Sequence, residues 1–262
     1  MLGAAAPALL LVAVSLWEIA LVARSARRAA DPAEWSALAT ALRSQHAAGE
    51  LIVFAPAWID PLGRREVGDL IPIDMAARMD AARYGVVWEV SQGGARAPET
   101  EGMARTRSQD FGRLTLNRYQ RTPADVATDF VAAFPTAKAT GGRAQVSLEE
   151  VGFAPHRCVR AVPPPDRTIE VAYPSVELGR ELVGYVGLAD VFTRRDIRDP
   201  GELTVTVDGA EVARVRAGVG DGWVRFAVAT EPRAGARVVF AARAVGKNAR
   251  DRRICFAAEA RR

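Results

Sequence analysis

The sequence is short of the residues that carry most recognisable site chemistry. It holds two cysteines, two histidines and two lysines in 262 residues. Two cysteines exclude a disulfide-dense scaffold and a Cys-rich zinc module. His46 and His156 leave little room for a histidine metal site, and neither a metal nor a cofactor is expected. The G-x-S-x-G, P-loop, H-E-x-x-H and C-x-x-C signatures are all missing. Ser91 ends a strand-like run in VSQGG, yet it lacks the flanking glycine pattern of a nucleophile elbow. No catalytic residue is assigned, and the reading leans away from an enzyme.

With only Lys138 and Lys247, 33 of the 35 basic residues are arginines. No Lys/Arg block exceeds two residues. The net charge of +4 and pI of about 9.5 therefore read as GC-rich coding rather than a nucleic-acid surface, and no nucleic-acid partner is expected. Apolar residues at 49% and charged residues at 25% are ordinary globular usage. They exclude a disordered, collagen-like or polytopic membrane chain.

Residues 3–23 form an apolar run with one charge, Glu18, followed by Arg24, Arg27 and Arg28. About 20 residues of helix cross a bilayer core, so a single transmembrane anchor is expected, tying the chain to the inner membrane. A cleaved signal peptide fits less well, since no Lys or Arg precedes the run; a buried soluble helix is the third reading. The arginine flank would stay cytoplasmic by the positive-inside rule.

After the anchor, Asp31-Pro32 opens a helix with Trp35, Leu38 and Leu42 on one face and Gly49 closing it. LIVFA (residues 51–55) reads as a strand buried on both faces. A loop follows, then a second helix in IDMAARMDAARYG, a strand in VVWEVS, and a half-exposed strand in FGRLTLNRYQR. That rhythm predicts a small parallel α/β domain over 31–135. Beyond a linker-like TAKATGGRA come nine strand-like runs, one pair joined by an Asp208-Gly209 turn. They predict an antiparallel β-sandwich, a jelly roll, over 143–262. The fold class is thus α+β multidomain.

Cys158 lies in an early strand of that sandwich and Cys255 in the last. One disulfide in an oxidising compartment and two buried free thiols are both open readings. For ligand binding, the loop after the first strand offers Trp58 as a stacking face, Asp60 as an acceptor and Arg64 as a cationic fork, groups a sugar or phosphosugar would use. In the sandwich, Asp190 and Arg194 form part of a charged cluster, and Trp223 sits in GDGW. Core packing of Trp58 and Trp223 is the competing reading.

The order of an apolar helix, GELIVFAPAWIDPLGR, ARYGVVWEVS and FGRLTLNRYQR over residues 10–121 resembles the soluble tail of GT-C type bacterial membrane glycosyltransferases, the dolichyl-phosphate-mannose-mannosyltransferase-like enzymes. The later half is similar in general pattern to carbohydrate-binding jelly rolls. That family's catalytic acids lie in a loop between membrane helices, which this chain lacks, so none is carried over. The resemblance implies an outward-facing, periplasmic module. The expected function is a single-span envelope protein whose soluble domains bind a glycan, a lipid-linked sugar or a membrane glycosyltransferase. The alternative is a glycosyltransferase component or a hydrolase using Asp60 or Asp74.

Overall fold

The computed structural model describes residues 5–189, 199–246 and 252–262. The chain divides into two compact units: residues up to Ile71 with Val86–Arg121, and Pro72–Gly85 with Thr122–Arg262. Residues 72–85 and 122–135, read from sequence as part of the first domain, thus fold with the second unit.

Helix α1 spans Ala5–Arg28, with its side chains described from Leu10 to Leu21. Among the described residues no helix is long and apolar enough to cross a membrane. The anchor expected over 3–23 is therefore not supported, and its first two residues lie outside the described ones.

Helix α2 (Pro32–Gln45) starts where the sequence dictates. The Asp31 carboxylate accepts from the Glu34 N–H at 2.9 Å, and the Glu34 carboxylate accepts from the Asp31 N–H at 3.0 Å. This reciprocal cap satisfies two of the helix's orphan donors. Trp35, Leu38, Ala39 and Leu42 are buried. The helix ends at Gln45, ahead of Gly49, which sits at φ +88° in the turn into the first strand.

That unit's sheet contains β1 (Leu51–Ala55), β2 (Val86–Gln92), β3 (Ala104–Phe111) and β4 (Leu114–Gln120) in the order β1-β2-β4-β3. Only β1 and β2 are parallel; β2–β4 and β3–β4 are antiparallel. The expected parallel α/β domain is thus a mixed sheet. The cause is a two-residue turn at Gly112-Arg113, with Gly112 at φ +66°, which makes its flanking strands antiparallel neighbours. Read as one strand from Phe111, it hid β3. The loop expected after β1 instead contains α3 (Asp60–Val67), where a Cβ on Gly63 would overlap the Phe54 ring.

In the second unit, the helix expected at IDMAARMDAARYG shrinks to α4 (Ile73–Ala76). The rest is an irregular strap of turns and bends, because its carbonyls serve other partners. Ala77 accepts from the Arg157 N–H at 2.8 Å, and Met79 accepts from the Trp223 indole N–H at 3.1 Å.

The nine expected strands of this unit all form: β7 (Ala144–Val151), β8 (Ala154–Ala161), β9 (Thr168–Leu178), β10 (Glu181–Leu188), β11 (Gly201–Val207), β12 (Ala210–Ala217), β13 (Val224–Ala229), β14 (Arg233–Ala244) and β15 (Ile254–Arg261). Two short strands, β5 (Val126–Asp129) and β6 (Lys138–Thr140), join them. They make an antiparallel sandwich. One sheet runs β13-β10-β15-β8-β7, with β5 also paired to β15; the other runs β12-β11-β14-β9-β6.

Asp208 and Gly209 both take positive φ, 49° and 86°, as the expected tight hairpin between β11 and β12 requires. Phe130 meets Tyr173 and Phe240 edge-to-face in the core, Phe240 stacks on Phe256, and the Tyr173 hydroxyl donates to the Phe130 carbonyl at 2.6 Å. Cys158 and Cys255 form a disulfide between neighbouring β8 and β15, which resolves the choice left open by the sequence.

Candidate functional site

The described residues singled out from sequence are divided between the two units. Trp58 is 62% exposed on the turn before α3. Asp60 and Arg64 sit one helical turn apart on α3 and pair with each other at 2.6 Å. Trp223, in the other unit, is half-buried and stacked between His156 (centroids 4.4 Å apart) and Tyr185 (5.8 Å). Asp190 and Arg194 lie outside the described residues.

A better-built site lies on one face of the mixed sheet. Period-2 alternation sends Ile52, Phe54, Trp88, Val90 and Leu116 to the face that α2 and α3 cover. The other face carries Glu89 and Ser91 from β2, Thr115, Asn117 and Tyr119 from β4, and Ser108 and Asp110 from β3. With Arg96 and Arg105 these line a cleft of about 520 Å³, within the usual range for small-ligand pockets.

Glu89 is fully buried at the base of this cleft. Its carboxylate accepts from four neutral donors: the Ala97 N–H at 2.8 Å, the Thr100 hydroxyl at 3.0 Å, the Asn117 amide at 3.1 Å and the Tyr119 hydroxyl at 3.3 Å. A carboxylate has about four lone-pair sites, so Glu89 is saturated and acts as a fixed post. The Ser108 hydroxyl donates to the Asn117 carbonyl at 2.8 Å. That leaves Asn117 one N–H and one lone pair beyond its own network.

The Ser91 hydroxyl donates to the Ala95 carbonyl and the Thr115 hydroxyl to Asp110, so both oxygens remain acceptors. Arg96 lies over the Tyr119 ring, 5.3 Å from its centroid. Burial raises the Tyr119 hydroxyl pKa above its ordinary 10.0, and the Glu89 charge adds to this, against the opposing charges of Arg96 and Arg105. Tyr119 therefore stays a neutral donor at physiological pH.

From the sequence, Glu89 is simply one residue of the strand VVWEVS. The available signal was a lone carboxylate in the apolar run VVWEVS, with Asn117 in the similarly apolar LTLNRY. A buried strand tolerates such groups only when they find each other.

The second unit contains a smaller cavity of about 300 Å³ beneath the strap, lined by Asp74, Asp80, Arg83, Arg157 and Glu259 among others. Its charges are closed on one another. Arg83 pairs with Glu259 and with Asp129 at 2.6 Å, and Arg157 pairs with Asp74 at 2.6 Å. Arg261 bridges Asp80 at 2.7 Å and Glu259 at 2.8 Å. Among the described residues no group of three or more His, Cys, Asp or Glu is placed to hold a metal ion.

No family model and no curated protein matches the chain, so the resemblance to membrane glycosyltransferase tails finds no support. Similar solved structures are named as carbohydrate-binding modules. One comprises the CBM51-2 and INT domains of Clostridium perfringens ZmpB, with 13% identity over 62% of this chain and a TM-score of 0.40. This chain spans 41% of that one. Another is the CBM51 of Clostridium perfringens GH95 in complex with methyl-galactose, with 12% identity over 50% of this chain and 98% of that one, at a TM-score of 0.33. A third is the CBM6cm-2 module of Cellvibrio mixtus lichenase 5A in complex with cellotriose, with 15% identity over 52% of this chain and 96% of that one, at a TM-score of 0.31.

Proposed function

We propose that the chain is a glycan-binding protein that holds a saccharide in the Glu89 cleft without turning it over. The observation that carries this is the saturated Glu89 post, which fixes Asn117 and Tyr119 on the floor of a cleft whose remaining groups offer both donors and acceptors. A sugar presents hydroxyls that donate and accept together, so a preorganised floor of mixed polarity suits it. Glycoside hydrolysis in its commonest form needs two free carboxylates flanking one bond. Asp60 and Asp74, the acids of the alternative hydrolase reading, are each closed in an ion pair with Arg64 and Arg157.

The Cys158–Cys255 disulfide supports a periplasmic or otherwise oxidising setting. A reporter active only outside the cytoplasm, fused to the C-terminus, should therefore give signal; silence there with signal from a cytoplasmic reporter would remove that setting.

The binding test is a saccharide array followed by calorimetry on the hits. Wild-type protein should bind at least one saccharide, and Asn117→Ala should weaken that binding at least tenfold while circular dichroism stays unchanged. Binding that survives the substitution, or an array with no hit, would overturn the reading.

A further inference from the structure

The cleft is polarised along its length. The register sets Arg105 opposite Tyr119 and Asp110 opposite Thr115, four residues apart on β4, or about 13 Å at strand rise. At the Tyr119 end stand two guanidinium groups. Arg96 donates to the Thr100 carbonyl at 3.0 Å and covers the Tyr119 ring; Arg105 is exposed. Among the described residues neither forms an ion pair. Five other arginines of this unit have carboxylates: Arg43 has Asp69, Arg64 has Asp60, Arg65 has Glu66, Arg113 has Glu34 and Arg118 has Glu50; Arg107 on β3 is exposed and does not line the cleft. Asp110 shares the cleft with Arg105 yet takes its hydrogen bond from Thr115 instead, at 2.9 Å.

Glu89 cannot serve as the missing carboxylate, because neutral donors already fill its four acceptor positions. Each exposed guanidinium keeps a planar donor edge that fits a carboxylate or phosphate oxygen pair. Resting on the glycan-binding reading, we infer that the cleft takes an acidic saccharide. Its carboxylate or phosphate lies at the Arg96–Arg105 end and its neutral hydroxyls lie toward Asp110 and Thr115. An aromatic ring under Arg96 holds that guanidinium in place without neutralising it.

The test pairs two disaccharides that differ only in one carboxylate, cellobiouronate and cellobiose, each titrated calorimetrically into the full chain. Cellobiouronate should bind at least tenfold more tightly, and Arg105→Gln should erase that preference. Arg105→Lys should restore only part of it, because an ammonium lacks the planar fork. Inorganic phosphate should compete with cellobiouronate in wild-type protein and not in Arg105→Gln. Equal binding of the two sugars, or a preference that survives Arg105→Gln, would overturn the acidic-ligand inference and leave glycan binding standing. Failure of both sugars, together with an empty array, would overturn both.

Discussion

Glu89 in the mixed sheet and Glu202 in the sandwich are both fully buried carboxylates on β-strands, and they are satisfied in opposite ways. Glu89 has four neutral donors. Glu202 has arginines: Arg216 at 2.7 Å, Arg243 at 2.6 Å and Arg214 at 3.8 Å. The sandwich thus spends its cations on its own acids, across β11, β12 and β14. The mixed sheet neutralises nothing at Glu89 and leaves Arg96 and Arg105 facing a cleft. The difference separates a charge network that holds strands together from one that holds a surface ready. It also predicts that the two units respond differently to the same chemical insult.

The largest separation should come from the disulfide, which belongs to the sandwich alone. It closes a loop with a sequence separation of 97, worth about 4–5 kcal/mol in the chain-entropy model. Replacing Cys158 and Cys255 together with alanine should lower the unfolding free energy of the second unit by that order. Hydrogen exchange resolved by peptide should show faster opening in β8 and β15 and little change in β1, β2 and β4. Equal loosening of both sheets would show that the units do not unfold separately.

Glu89→Ala should give the next largest effect, confined to the first unit. It strands the Ala97 N–H, the Asn117 amide and the Tyr119 hydroxyl, while Thr100 keeps the Ala97 carbonyl at 2.9 Å. Unmet buried donors cost about 1–3 kcal/mol each, and partial relaxation should leave a net loss of about 3 kcal/mol. Glu202→Gln should cost less, about 1–2 kcal/mol, because its arginines are 44–60% exposed and can turn to water. Urea melts of both variants would rank them; the reverse order would mean that the arginine network dominates.

Acid sharpens the same contrast. Burial alone would raise the Glu202 pKa, but hydrogen bonds and charges from Arg216 and Arg243 outweigh it and hold the carboxyl below its ordinary 4.5. Folding therefore releases protons there. The stabilisation is fully present above pH 4.5 and is lost as pH falls through the lower, folded value. Glu202→Gln should flatten that part of the acid melt, and an unchanged acid limb would remove Glu202 from the account.

Local signals carried much of this fold. Asp31 and Pro32 spelled out the start of α2, LIVFA its neighbouring strand, and Asp208-Gly209 a hairpin, because each rests on contacts within a few residues. Strand alternation located all nine main strands of the sandwich. What failed depended on distant partners. Residues 77–85 have helical composition, yet their carbonyls are claimed by Arg157 and Trp223, more than 75 positions away. Glu89 gains its meaning from Asn117 and Tyr119 across a strand pairing that alternation could not reveal while Gly112 was hidden inside a continuous pattern. Trp58, Asp60 and Arg64 were legible as chemistry but not as geometry: the acid and the arginine satisfy each other.

The smallest expected effect lies in the strap that covers the sandwich's outer sheet face. His156 stacks on Trp223, and its Nδ1 meets the Arg78 carbonyl at 3.1 Å. Burial lowers its pKa from the ordinary 6.5; the Arg78 carbonyl works against this and the Arg78 charge adds to it. Of the other charged groups near the strap, Asp80 and Arg83 are held by Arg261 and by Glu259 and Asp129, Asp74 is held by Arg157, and Arg225 lies beside Tyr185. The neutral imidazole is thus the folded form. The unfolded chain takes up a proton near pH 6.5 that the folded chain refuses, so stability present above that pH declines as pH falls below it. Between pH 7.5 and 5.5 the melting temperature of the second unit should fall slightly in wild-type protein and stay level in His156→Gln. Exchange at residues 77–82 should quicken over the same interval in wild-type protein only. A slope that survives in His156→Gln would assign it to another group and leave the strap's hold on β8 independent of pH.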